Sequence, residues 1–109
     1  MAIEPSENVG TKLLFENERV RVWDLALQPG EAVEKHIHRL DYLLVILQGG
    51  DLRHVDPDNP ENDRAVHFET DQVHFSQADK ANGGTIHHRL INVGDAPYRN
   101  LVIELKEPG

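Results

Sequence analysis

The chain has no cysteine, which excludes disulfides, thiolate metal sites and a cysteine nucleophile. Positive charge is scarce as well. Eleven Lys and Arg stand against 19 Asp and Glu, for a formal net charge of -8 at pH 7. Such a balance lacks the basic face that nucleic-acid phosphates demand and is unsuited to anionic membrane surfaces. The longest purely apolar run, Leu43 to Leu47, is far too short to cross a bilayer. Met1 to Asn8 has neither the basic nor the apolar region of a secretory signal, so a cytoplasmic location is expected. No Gly-x-Ser-x-Gly, Walker-type loop or dinucleotide fingerprint occurs, and no stretch carries a convincing 3.6-residue period.

What is present is a set of short strand signals and an excess of histidine, seven in 109 residues. The length suits one domain with a single core. Residues 1–10 carry Pro5 and Gly10 with little apolar content and read as an N-terminal arm, leaving 11–109 as the domain. Arg19 to Gln28 begins with Val20 and Val22 on one parity and continues with Trp23, Leu25 and Leu27 on the other. A β-bulge near Val22 and Trp23 or a strand covered on both faces would explain the slip. Further strands are expected over Ala32 to Leu40, Asp41 to Gln48, Asp51 to Val55, Arg64 to Phe68, Val73 to Ser76, Thr85 to Val93 and Tyr98 to Lys106. Gly49-Gly50 reads as a tight turn, and Asp56 to Asp63, broken by Pro57 and Pro60, as a solvated loop. The class is therefore all-β, a sandwich or barrel of eight or more strands.

His36-Ile37-His38 is the most informative triplet. Residues two apart on a strand share a face, so the two imidazoles stand about 7 Å apart along it. Both can reach one metal ion. His88 shares a parity with Leu90 and Asn92 on Thr85 to Val93 and is the expected third histidine, with His87 and Arg89 pointing outward. His54, in a polar strand, is expected to be solvated, and Trp23 to be core. His67 and His74 flank Glu69 to Gln72. If Phe68 pairs with Val73, they face one another across a hairpin, either as a second metal pair or as two exposed side chains.

Gly30, five residues, His36-x-His38 and then Gly49 resembles the first motif of the cupin superfamily, and His88 with Asn92 is similar to the end of the second. Two positions depart from the second motif: Gly83 replaces a proline and Thr85 a glycine. Where the first motif places a glutamate ligand, this chain has Tyr42, with Asp41 beside it on the other parity. The resemblance covers about residues 18 to 106. It implies a double-stranded β-helix, the cupin jelly-roll barrel, often dimeric, with a metal inside.

With Tyr42 in place of the glutamate, the ligand set becomes His36, His38 and His88. This resembles the three-histidine cupins such as acetylacetone-cleaving and cysteine dioxygenases. Fe(II) is favoured for that chemistry, and Mn, Ni, Zn or Cu suit the same ligands. Three neutral imidazoles leave the ion's double charge uncancelled, which favours a small anionic substrate such as a dicarbonyl enolate or keto acid. Tyr42 would either donate a hydrogen bond to substrate or serve as a pocket wall. The expected function is a dioxygenase acting on such a small molecule, as a homodimer. A metal-dependent isomerase or lyase and a non-enzymatic ligand-binding module are the rival readings.

Overall fold

A computed structural model describes residues 6–106. Eleven strands form, β1 (Lys12–Glu16), β2 (Val20–Leu27), β3 (Ala32–Val33), β4 (His36–His38), β5 (Tyr42–Gln48), β6 (Gly50–Val55), β7 (Arg64–Phe68), β8 (Val73–Ser76), β9 (Thr85–His87), β10 (Arg89–Asn92) and β11 (Tyr98–Leu105). Two single-turn 3-10 helices, Pro60–Asn62 and Lys80–Asn82, lie in the loops. No helix among the described residues is long and apolar enough to cross a membrane.

A five-stranded sheet in the order β1-β2-β11-β5-β8 faces a four-stranded sheet in the order β3-β10-β6-β7. The short pair β4-β9 completes the barrel. Every named strand pair is antiparallel. The inner faces alternate as a pleated strand requires. Trp23, Leu25 and Leu27 of β2 are buried, and so are Tyr98, Asn100, Val102 and Glu104 of β11. Leu25, Leu27, Val33, Ile46, Leu52 and Tyr98 make the main core, drawn from both sheets. Glu104, 1% exposed, accepts from Trp23 Nε1 at 2.7 Å and from Arg21 Nε at 2.6 Å, so its charge is paired where it is buried.

Several local expectations need correction. β2 pairs with β11 without interruption from Val20–Leu105 to Leu27–Tyr98, so no bulge breaks that ladder at Val22 and Trp23. The irregularity lies in β1, between Leu13 and Phe15. The stretch 32–40 splits into β3 and β4, which join different sheets. Phe68 does not pair with Val73. β7 pairs with β6 and β8 with β5, so residues 69–72 bridge two sheets instead of closing a hairpin. Gly49 is no ordinary turn residue, because a side chain there would collide with the carbonyl oxygen of Phe68.

The described part of the N-terminal arm docks. Ser6 N donates to Lys35 O at 3.2 Å, Ile37 N donates to Ser6 O at 2.8 Å, and Val9 is 1% exposed. Residues 1–5 and 107–109 lie outside the described range.

Candidate metal centre

β4 and β9 place the histidines. In their register His36 stands opposite His87, Ile37 opposite Ile86 and His38 opposite Thr85. His36 and His38 are 4% and 3% exposed, and Ile37 between them packs on the other side of the strand. One nitrogen from each of His36, His38 and His87 lies within 4.8 Å of the others. Their ring centroids are 4.9 Å apart for His36–His38, 5.4 Å for His36–His87 and 4.6 Å for His38–His87. Two nitrogens on one ion, each about 2.1 Å from it, lie no more than about 4.2 Å apart. The widest pair closes that gap with a small rotation about its side-chain bonds, so the residues fit an ion.

The chemistry of the donors agrees. Nδ1 of His36 lies 2.9 Å from Glu34 O. A carbonyl only accepts, so this nitrogen carries the proton and Nε2 keeps its lone pair. Burial pushes the pKa of all three rings down, His38 to about 2 and His87 to about 4, with the neighbouring imidazoles adding to the effect on His38 and His87. They are neutral at pH 7, as ligands must be. Nδ1 of His38 is buried without a hydrogen-bond partner.

His88 is not part of this group. Its Nε2 lies 3.5 Å from Asp56 Oδ2. The reason is the break between β9 and β10. Up to His87 the chain pairs with β4, and from Arg89 it pairs with β6. His88 occupies the junction, where the inward parity changes from Thr85 and His87 to Leu90 and Asn92. The expectation that His87 turns outward is corrected by the same break.

Tyr42 stacks on His38, with ring centroids 4.1 Å apart and planes 17° from parallel. Burial raises its phenol pKa, opposed by a hydrogen bond with the Ser76 side chain. Asp41 faces away, accepting from Ala78 N at 2.9 Å. His67 and His74 do not meet. His67 lies 2.6 Å from Asp51 Oδ1 and 2.7 Å from Glu69 Oε1 at the surface, whereas His74 packs 5.2 Å from the Phe68 ring.

The histidines open into a cavity of about 350 Å³ between the two sheets. Its lining holds no carboxylate. Arg64 is the one Lys or Arg there, and no carboxylate among the described residues lies within ion-pair distance of it. His54, half-buried rather than solvated, also lines it, 5.7 Å from the His87 ring. Arg64 and His54 are paired residues on β7 and β6. The alternation Arg64, Val66, Phe68 already carried that signal, since Arg64 falls on the apolar parity.

The fold is the double-stranded β-helix of the small single-domain cupins, with a histidine triad able to hold a metal. A cupin domain from Bordetella pertussis Tohama I superposes with a TM-score of 0.72 at 23% identity, over 97% of this chain and 100% of that one. An RmlC-like cupin family protein with a double-stranded β-helix fold from Methanocaldococcus jannaschii gives 0.63 at 15% identity, over 97% and 90%. A polyketide cyclase from Streptomyces resistomycificus gives 0.57 at 19% identity, over 84% of this chain and 57% of that one. No family model and no curated protein matches the sequence.

Proposed function

We propose that the chain is a mononuclear metal enzyme in which His36, His38 and His87 hold a divalent transition ion, and that it acts as a dioxygenase on a small anionic dicarbonyl or keto acid. One observation carries this reading. Two buried imidazoles and a half-buried third converge at one end of a cavity that is lined by the exposed Arg64 and by no carboxylate. Ligands of that kind leave the ion's charge uncancelled, and Arg64 adds a second positive group facing the same space.

The chain's own residues define what happens to a substrate. Arg64 holds an anionic group at the cavity wall by charge-assisted hydrogen bonds. The carbonyl of Glu34 fixes the ring of His36, and the Tyr42 ring fixes that of His38. Leu44, Val66, Phe68 and Leu90 exclude water from the remaining wall. Fe(II) held by the triad would supply a binding position for oxygen, with the electrons for its reduction drawn from the substrate that is cleaved.

The test is elemental analysis of tag-free protein, followed by oxygen uptake with 2,4-pentanedione and short 2-oxo acids. Iron near one per chain with oxygen consumed in proportion to substrate supports the reading. Zinc or nickel without oxygen uptake replaces the dioxygenase by Lewis-acid chemistry at the same residues.

A further inference from the structure

Two side chains on β11 carry polar atoms that the fold leaves unpaired. Tyr98 is 1% exposed and Asn100 2% exposed, and both line the cavity. The Tyr98 hydroxyl and Asn100 Nδ2 are buried without a hydrogen-bond partner. Their surroundings are apolar. Asn100 sits in register between Leu25 of β2 and Ile46 of β5, and Tyr98 lies beside Leu27 with Phe68 6.3 Å away between ring centroids. A buried donor left unmade costs stability, and a leucine or phenylalanine would serve the core better at either position.

The two stand apart from the histidines. Along β11, Tyr98 and Asn100 precede Val102 and Glu104, and it is Glu104 that stands opposite Tyr42 beside the triad. Tyr98 and Asn100, two residues apart on one face, are therefore about 7 Å from each other along the strand and lie further from the metal end than Val102 does. Val102, Leu44 and His74, in register with one another on β11, β5 and β8, line the stretch between. The cavity thus has a cationic end, a middle of Val102, Leu44 and His74, and an end with two neutral donors.

We propose that Tyr98 and Asn100 form a recognition subsite for a neutral carbonyl oxygen, so that the substrate is an elongated anion with a ketone-type oxygen at the end remote from the metal. This rests on the reading of the histidine end as the anion site. A second carboxylate does not suit the deep end, because no cation there would offset its desolvation. A neutral oxygen does, accepting one bond from the phenol and one from the amide. Burial raises the phenol pKa of Tyr98, keeping its proton on at neutral pH. With roughly 30 Å³ per water-sized group, the cavity takes about a dozen heavy atoms, enough for both ends and a short chain.

The experiment is calorimetric titration of the metal-free and metal-loaded protein with methyl-ketone acids from 4-oxopentanoate to 7-oxooctanoate, beside the saturated acids of the same length. It needs no turnover, so a failed dioxygenase assay leaves it intact, and loss of acid binding in Arg64→Gln reports separately on the anion end. For at least one chain length the ketone should bind roughly tenfold tighter than its saturated partner, as two neutral hydrogen bonds allow. Tyr98→Phe and Asn100→Leu should each reduce that preference several-fold while leaving the saturated acid unchanged or tighter. Without ligand, both variants should melt at the wild-type temperature or above it. No ketone preference at any length, a preference that survives both substitutions, or clear destabilisation of both ligand-free variants overturns the proposal.

Discussion

His87 stands opposite His36 on the paired strands β9 and β4, while its neighbour His88 turns toward the carboxylate of Asp56. A one-residue difference thus separates a side chain inside the barrel from one in its outer shell. The consequence for metal binding is direct. His87→Ala removes one of the three proposed ligands and should weaken the ion's binding by at least about 100-fold, given that even the partners behind a ligand are worth 10- to 100-fold. His88→Ala should leave loading near one ion per chain. Metal titration of the two variants side by side checks this, and loss of metal in His88→Ala alone would refute it.

The buried imidazoles also set how the metal-free protein responds to acid. Their folded pKa values lie below the ordinary value of 6.5, at about 2 for His38 and about 4 for His87, with His36 lowered too. The unfolded chain then binds protons that the folded chain does not, so stability falls as pH drops below about 6.5. Each such ring contributes a loss of about 1.4 kcal/mol per pH unit until its folded pKa is reached. Thermal melts of the metal-free protein from pH 7 to pH 4 should show a steep decline, shallower in His87→Leu. A melting temperature independent of pH across that range would refute the burial of these rings.

Tyr42 can be tested as donor and as wall separately. Its ring lies against His38 at 4.1 Å. Tyr42→Phe keeps that stack and should retain metal at wild-type affinity. If the hydroxyl contacts substrate, kcat falls roughly 10- to 100-fold, the range expected for one positioned hydrogen bond at a reacting centre. Tyr42→Ala removes the stack and should loosen His38, lowering metal affinity by about tenfold. Wild-type turnover in Tyr42→Phe would assign the residue to the wall alone.

Much of this site was legible because strand alternation is strict where a strand is continuous. His36 and His38 needed only the period of two, and the cupin resemblance over Gly30 to Gly49 placed them inside a barrel. Alternation misled where the chain changes partners. Thr85 to Val93 looks like one strand, and counting parity from Asn92 back through Leu90 selects His88. The hand-over from β4 to β6 resets the count between His87 and Arg89. The same limit applies to His67 and His74. A four-residue connection between two similar triplets looks like a hairpin loop, and only the long-range pairing of β7 with β6 and β8 with β5 shows that it spans two sheets. Asp71, with φ of 75°, is the one non-glycine residue of positive φ among the described residues and marks that crossing.

The outer face of the five-stranded sheet carries the last prediction. In register, Phe15, Val22, Ile103, Leu43 and Phe75 form one apolar row across all five strands. Leu101, Val45 and Val73 continue it in the next row. Phe15, Val73 and Phe75 are 54%, 59% and 57% exposed. On β11 the apolar residues Leu101, Ile103 and Leu105 face outward while Asn100 and Glu104 face the interior, an arrangement that makes sense only if the outer face is covered. A second copy of the chain is the occupant that the charges favour. The chain as a whole carries -8, yet the charged residues in these rows are Lys12 and Asp24, and Asp24 is paired to Arg99 of the adjoining row at 2.7 Å. Two such faces meet without the repulsion that the rest of the surface would impose. Sedimentation should therefore give a mass near twice the 12.3 kDa of one chain. Phe75→Glu should shift it to the monomer, with the β-sheet circular dichroism spectrum unchanged because the side chain is more than half exposed in the single chain. A monomeric wild-type protein, or a dimer indifferent to Phe75→Glu and Val73→Glu together, would show that this face is covered by something other than its own copy.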